Sequence, residues 1–135
     1  MILVDNIVFM KDRFPLVWEA YREAEADQDE HLLETISTQV DNCPTLFVHR
    51  ESRSYYLHSR YDPLREAQTV IDNIDASGYD HVVFYGIGLG YHIQAFLEKH
   101  PHISFSIYEP VPEVFKAYLS HFDLRDLPQR RLHEI

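Results

Sequence analysis

The chain has 135 residues, of which 22 are acidic and 12 basic, giving a formal net charge of −10, with 45% apolar and 13% aromatic residues. That length and composition describe one soluble domain able to bury a core without staples, and exclude a disordered polar chain. The acidic balance, with no basic stripe, argues against nucleic acid as a partner, and the lone Cys43 excludes an internal disulfide.

The opening "MILVDNIVFMKDRF" is interrupted by Asp5 and by Lys11, Asp12 and Arg13, so it lacks the continuous apolar run of a signal peptide. No later segment offers the 18 or so uninterrupted apolar residues of a membrane span, and a cytoplasmic location is expected. Cys43 suits that reducing compartment, and next to Pro44 it has no neighbouring His or Lys to make it a reactive thiol. In "RFPLVWEAYREAEAD", Pro15 stands where a first helical turn tolerates it, and Leu16, Val17, Trp18, Tyr21 and Ala24 form an apolar stripe, predicting an N-terminal helix. The acidic tract after it reads as a solvated end. "HLLETISTQV" predicts another short helical piece through Leu32, Leu33, Ile36 and Val40.

Two β-rich runs, Leu46 to His49 and Tyr55 to His58, are separated by a polar stretch long enough for a reversal and predict a β-hairpin. In "SRYDPLREAQTVIDNID", Asp62 is placed as N-cap and Pro63 as first helical residue, with Leu64, Ala67, Ile71 and Ile74 at helical spacing. Gly78 is the expected end of that helix. Beyond it, "HVVFY" reads as a buried parallel strand, "YHIQAFLEKH" as a helix, "ISFSIYE" as a second strand and "PEVFKAYLSHF" as a further helix, while "RRLHEI" could at most begin a third strand. The expected fold is therefore α/β: a single domain, 1–135, with a helical part at 1–44, a hairpin at 45–60 and a Rossmann-like, partial doubly wound βαβ part at 61–135.

Three of the four glycines, Gly86, Gly88 and Gly90, sit between the first strand of that unit and its helix. Glycines there permit positive φ and let a ligand approach the free N–H groups of a helix start. The dinucleotide fingerprint G-x-G-x-x-G would need glycine at position 91, which is Tyr91, so NAD and FAD are disfavoured. The alternative is that the glycines serve close packing of strand on helix and bind nothing. If a ligand is bound, the expected contacts are Gly86, Gly88, Gly90, Glu109 at the end of the next strand, and His92, two residues past the last glycine. On that reading Gly88→Val abolishes binding and leaves secondary structure intact. "SRYDPLREA" has two readings as well: a plain helix cap with surface pairing, or Arg60 or Arg65 reaching an anion over the glycine turn. The nine histidines show no paired ligand spacing, and no metal is expected.

The pattern G-x-G-x-G followed by Glu109 resembles the first two motifs of S-adenosylmethionine-dependent methyltransferases, in which the acidic residue holds the ribose hydroxyls. Taken together, "HSRYDPLREA", "VVFYGIGLGYHIQAFLE" and "SIYEP" more closely resemble the N-terminal region of the motility accessory factor (Maf) glycosyltransferases, and "PTLFVHRESRSYYLHSRYDP" is similar to the hairpin that precedes it there. The resemblance implies glycosylation of flagellin on serine or threonine from CMP-activated nonulosonic acids, with the transfer chemistry in a central domain that this chain does not contain. It further implies a non-catalytic N-terminal domain, with flagellin or the remaining domains of a parent protein as partners and a CMP-type nucleotide as ligand. Binding of S-adenosylmethionine or a related nucleoside, and a pure assembly role without ligand, stand as the alternatives. A three-stranded parallel sheet would leave an edge and apolar surface over, so self-association into a homodimer is expected.

Overall fold

The computed structural model describes residues 1–135. Two helices come first, α1 (Val4–Arg13) and α2 (Pro15–Ala24), hinged at Phe14 with Pro15 opening the second. The start of the chain, which the sequence reading excluded only as a signal peptide, is thus helical. It turns one buried polar residue inward: Asn6 donates from Nδ2 to the carbonyls of Leu119 (2.8 Å) and Phe122 (2.5 Å) and accepts from the Leu124 N–H at 2.9 Å. Buried amides persist only where both ends find partners, and Asn6 satisfies both.

A small antiparallel sheet follows, β1 (Leu33–Ile36), β2 (Thr45–Val48) and β3 (Tyr55–Tyr56), with β2 in the middle. The expected hairpin is present, with Phe47 opposite Tyr56 and Val48 opposite Tyr55. The expected helical piece in "HLLETISTQV" is instead strand β1, which pairs Leu33 with Val48 and Ile36 with Thr45. Leu32, Leu33 and Ile36 satisfy helical spacing, but the ladder offered by β2 outweighs a weak local preference.

Helix α3 (Pro63–Asp72) begins as predicted, with Asp62 Oδ1 accepting from the Arg65 N–H at 3.0 Å. It ends at Asn73 rather than at Gly78, which lies in the following turn at φ +84°. The remainder alternates strand and helix: β4 (His81–Tyr85), α4 (Tyr91–Lys99), β5 (Ser104–Tyr108), α5 (Pro112–His121) and β6 (Leu132–Glu134). The strands form a parallel sheet in the order β4-β5-β6, so "RRLHEI" does supply a third strand.

Each step across this sheet runs in the same direction, and right-handed crossovers carry α4 and α5 to one face. On that face Phe105 and Ile107 are 0% and 2% exposed. The opposite face carries Val83, Tyr85 and Tyr108 at 58%, 71% and 52% exposure, with the two tyrosine rings 5.2 Å apart. The core joins the α4–α5 side of the sheet to α1, α2 and β2 through Met10, Trp18, Tyr21, Leu46, Tyr118 and Leu119. No helix is long and apolar enough to cross a membrane.

Candidate functional site

All three glycines of the strand-to-helix turn are in the left-handed region, Gly86 at φ +74°, Gly88 at +57° and Gly90 at +82°. Two of them also lie against the chain's own side chains. A Cβ at Gly88 would stand 2.4 Å from His58 Nε2, and one at Gly90 would stand 2.4 Å from Tyr118 Cε1. Glycine is required at both because a buried ring occupies the space a side chain would need. A valine at Gly88 would displace the His58 ring, so that substitution alters the packing of the turn whether or not a ligand is bound there.

Each N–H of the turn has an acceptor inside the molecule. Gly86 donates to the Tyr108 carbonyl at 2.9 Å, continuing the ladder, and Gly90 to the Ile87 carbonyl at 3.0 Å. Ile87 donates to Glu109 Oε1 at 2.8 Å, with Gly88 a longer second donor to the same oxygen at 3.4 Å. Leu89 donates to His58 Nε2 at 2.9 Å. Glu109 Oε2 accepts from the Val111 N–H at 3.2 Å. A carboxylate has about four acceptor sites. Three are used here, which leaves one on Oε2 for a hydroxyl group from outside.

His58, which the sequence reading did not single out, is the second structural partner of the turn. It is 4% exposed and held from both sides: its N–H and C=O bond the Thr45 hydroxyl at 3.1 and 2.8 Å, and the next residue, Ser59, donates to Glu66 Oε1 at 2.9 Å. "SRYDPLREA" thereby fastens the segment that carries His58. Accepting at Nε2 makes the ring neutral, with its proton on Nδ1, a buried atom without a partner. Burial, with a smaller contribution from His92, pushes the His58 pKa down from 6.5 to about 4. The His92 ring lies stacked at 5.9 Å from it.

Between the turn and the small sheet lies a cleft of about 310 Å³. Its floor includes Gly86, Ile87, Gly88 and Glu109, its roof Leu33, Val48, Tyr55 and His58, and His92 reaches it from α4. Gly90 does not line it, being turned toward Tyr118. Arg60 does not reach it either: its guanidinium stacks over Tyr61 and Tyr56, at 4.9 and 5.8 Å, and donates to the Tyr61 hydroxyl. Arg65 is likewise absent from the lining, its backbone N–H serving the Asp62 cap. The arginine that lines the cleft is Arg50, an exposed residue that takes part in none of the five salt bridges. Helix α4 is fixed under the roof by the Tyr91 hydroxyl, which donates to the Pro44 carbonyl at 2.6 Å. No group of three or more His, Cys, Asp or Glu is placed to hold a metal ion.

Comparison with known proteins agrees with this architecture. A family model described as the glycosyltransferase Maf N-terminal domain matches residues 6–131. The structure of the Maf glycosyltransferase from Magnetospirillum magneticum AMB-1 superposes with a TM-score of 0.60 at 16% identity, over 96% of this chain and 26% of that one. The chain thus spans about a quarter of that protein's length, and at this identity the likeness is one of fold. No curated protein sequence matches the chain.

Proposed function

We propose a function from the premise that this chain belongs to the glycosyltransferase Maf N-terminal domain family: it is a non-catalytic domain serving flagellin glycosylation with nonulosonic acids, and its cleft receives a CMP-type nucleotide or sugar nucleotide. The observation that carries the non-catalytic role is the internal satisfaction of the glycine turn. Of the three acid–base groups of the cleft, Glu109, His58 and His92, the first two are engaged by backbone N–H groups, and no free amides remain between Gly86 and Gly90 to cradle a pyrophosphate.

What supports a nucleotide is the pair of polar groups, Arg50 and Glu109, on a cleft otherwise lined largely by apolar side chains. Arg50, an exposed lining residue in no salt bridge, suits a phosphate or carboxylate, and the remaining acceptor site of Glu109 Oε2 suits one sugar hydroxyl. A volume of about 310 Å³ falls at the small end of ligand pockets and holds the mononucleotide part of such a ligand, with any attached sugar outside the cleft. The cytoplasm, where activated sugars are made, is the compartment this reading requires.

Calorimetric titration with CMP, a CMP-nonulosonic acid, S-adenosylmethionine and S-adenosylhomocysteine tests the ligand. Binding of a CMP compound that is lost in Arg50→Ala supports the reading. Binding of S-adenosylmethionine alone replaces it with the methyltransferase-like one, and silence from all four leaves an assembly module without ligand. Incubating the chain with flagellin and CMP-nonulosonic acid should give no mass increase on flagellin; an added sugar would overturn the non-catalytic role.

A further inference from the structure

We propose that the outer edge of β4 is a self-complementary pairing surface through which two copies of this chain join antiparallel, centred on Val83, to make one six-stranded sheet. Strand β4 ends the order β4-β5-β6, so one side of it has no neighbouring strand. The Asp80 carbonyl accepts from the Ser104 N–H and the Gly86 N–H donates to the Tyr108 carbonyl, both toward β5. Backbone groups alternate along a strand, so Val82 and Phe84 also face β5, while the N–H and C=O of His81, Val83 and Tyr85 face outward. None of the backbone bonds made outside the regular elements involves these outward groups.

The chain's other edges carry the devices that discourage pairing, and this one does not. Strand β6 has three residues, includes Glu134 and breaks register beside Ser106; β1 carries Glu34, and β3 is two residues long. Strand β4 has five residues, "HVVFY", with no formally charged group, proline or register break.

Its sequence also suits its own reverse. Centring the antiparallel pair on Val83 sets Val83 opposite Val83, His81 opposite Tyr85 and Val82 opposite Phe84. All three outward-facing residues then meet their mates as hydrogen-bonded pairs, closing six backbone bonds. Valine against phenylalanine is a favourable cross-strand pair and occurs twice. These are the two inward residues of β4 that this chain leaves only partly buried, although Phe84 meets Phe96 of α4 at 5.5 Å. Asp80 falls opposite Gly86, so no like charges face each other along the seam. The net charge of −10 resists further, indiscriminate association, and a two-fold seam closes after two copies.

Sedimentation equilibrium of the intact chain at micromolar concentration should give a mass rising from 16.0 kDa toward twice that value. Val83→Lys places two ammonium groups at the two-fold centre and should weaken dimerisation by about 100-fold or more. Val83→Pro removes an outward N–H and none of the bonds to β5, and should weaken it similarly. Hydrogen exchange supplies the readout that separates a lost interface from a lost fold. In the dimer the amides of His81, Val83 and Tyr85 are slow; those of His81 and Tyr85 become fast in both variants, and that of residue 83 becomes fast in Val83→Lys, while those of Val82 and Phe84 stay protected. A parent chain that remains a monomer, a dimer that survives both substitutions, or a dimer whose Val83 amide exchanges freely overturns the proposal.

Discussion

The residues His81–Tyr85 and the five that follow, Gly86–Gly90, are continuous in sequence and differ in how their backbone is satisfied. In the glycine turn every N–H has an acceptor, supplied by Glu109, His58, Ile87 and Tyr108. In the strand, three residues present both backbone groups to an unoccupied side, and Val83 and Tyr85 stand exposed on the uncovered face. A glycine-rich turn before a helix suggests a place left open for a ligand, and an apolar strand suggests burial. Here the turn is the closed part and the strand the open one. Two of the glycines make room for the protein's own rings, a use of small residues that a glycine pattern does not distinguish from ligand approach.

Substitutions can break this contrast, beginning with the turn. Gly90→Ala forces a Cβ to within 2.4 Å of Tyr118, which is 1% exposed and stacked on Phe122, and does so at φ +82°. Overpacking and left-handed strain together should cost about 3–5 kcal/mol, seen as a fall of roughly 10–20 °C in the thermal midpoint. The acid limb of the stability curve should report His58. Between about pH 4 and 6.5 the unfolded chain binds a proton there that the folded chain does not, so stability rises with pH across that window and levels off above it. The full contribution is about 3 kcal/mol, and urea midpoints of His58→Gln should lose this part of the pH slope, whatever the variant's stability at neutral pH.

Glu109→Ala leaves the Ile87, Gly88 and Val111 amides without their acceptor and should destabilise by about 2–3 kcal/mol, with Glu109→Gln costing about half because one oxygen remains. At the open end of the comparison, Tyr85→Ser should change the unfolding free energy of the monomer by no more than about 0.5 kcal/mol, measured below the concentration at which copies associate. A larger loss would mean that the bare face is more firmly packed than its exposure implies.

Much of the frame was legible where the signal is local. The Asp62–Pro63 start of α3, the hairpin of β2 and β3, and the alternation from β4 through α5 follow from capping, β-branched runs and spacing within a few residues. Strand β1 was not, because Leu32, Leu33 and Ile36 fit a helix equally well and only pairing with β2 decides between them. At the candidate site the turn and Glu109 could be read from the sequence, while their partner could not. His58 lies 31 residues from Leu89, and nothing in "YYLHS" marks its ring as the acceptor for that amide. Arg50 was missed for a related reason: a lone basic residue acquires meaning from the cleft that β2 and the turn make between them. Arg60, by contrast, had neighbours that could have signalled its stacking, since Tyr56 and Tyr61 flank it in sequence.

The three bonds of Asn6 bear on how the domain is made at the ribosome. Helix α1 leaves the exit tunnel ahead of the other elements of this domain, yet the groups that satisfy Asn6 belong to Leu119, Phe122 and Leu124, more than 110 residues later. Until those residues emerge, an amide destined for the interior has only water for company, and α1 has no seat. The small sheet and the β4–α4–β5 segment can order as they are synthesised, but α1 must wait for the segment after α5, with its apolar face within reach of chaperones until then.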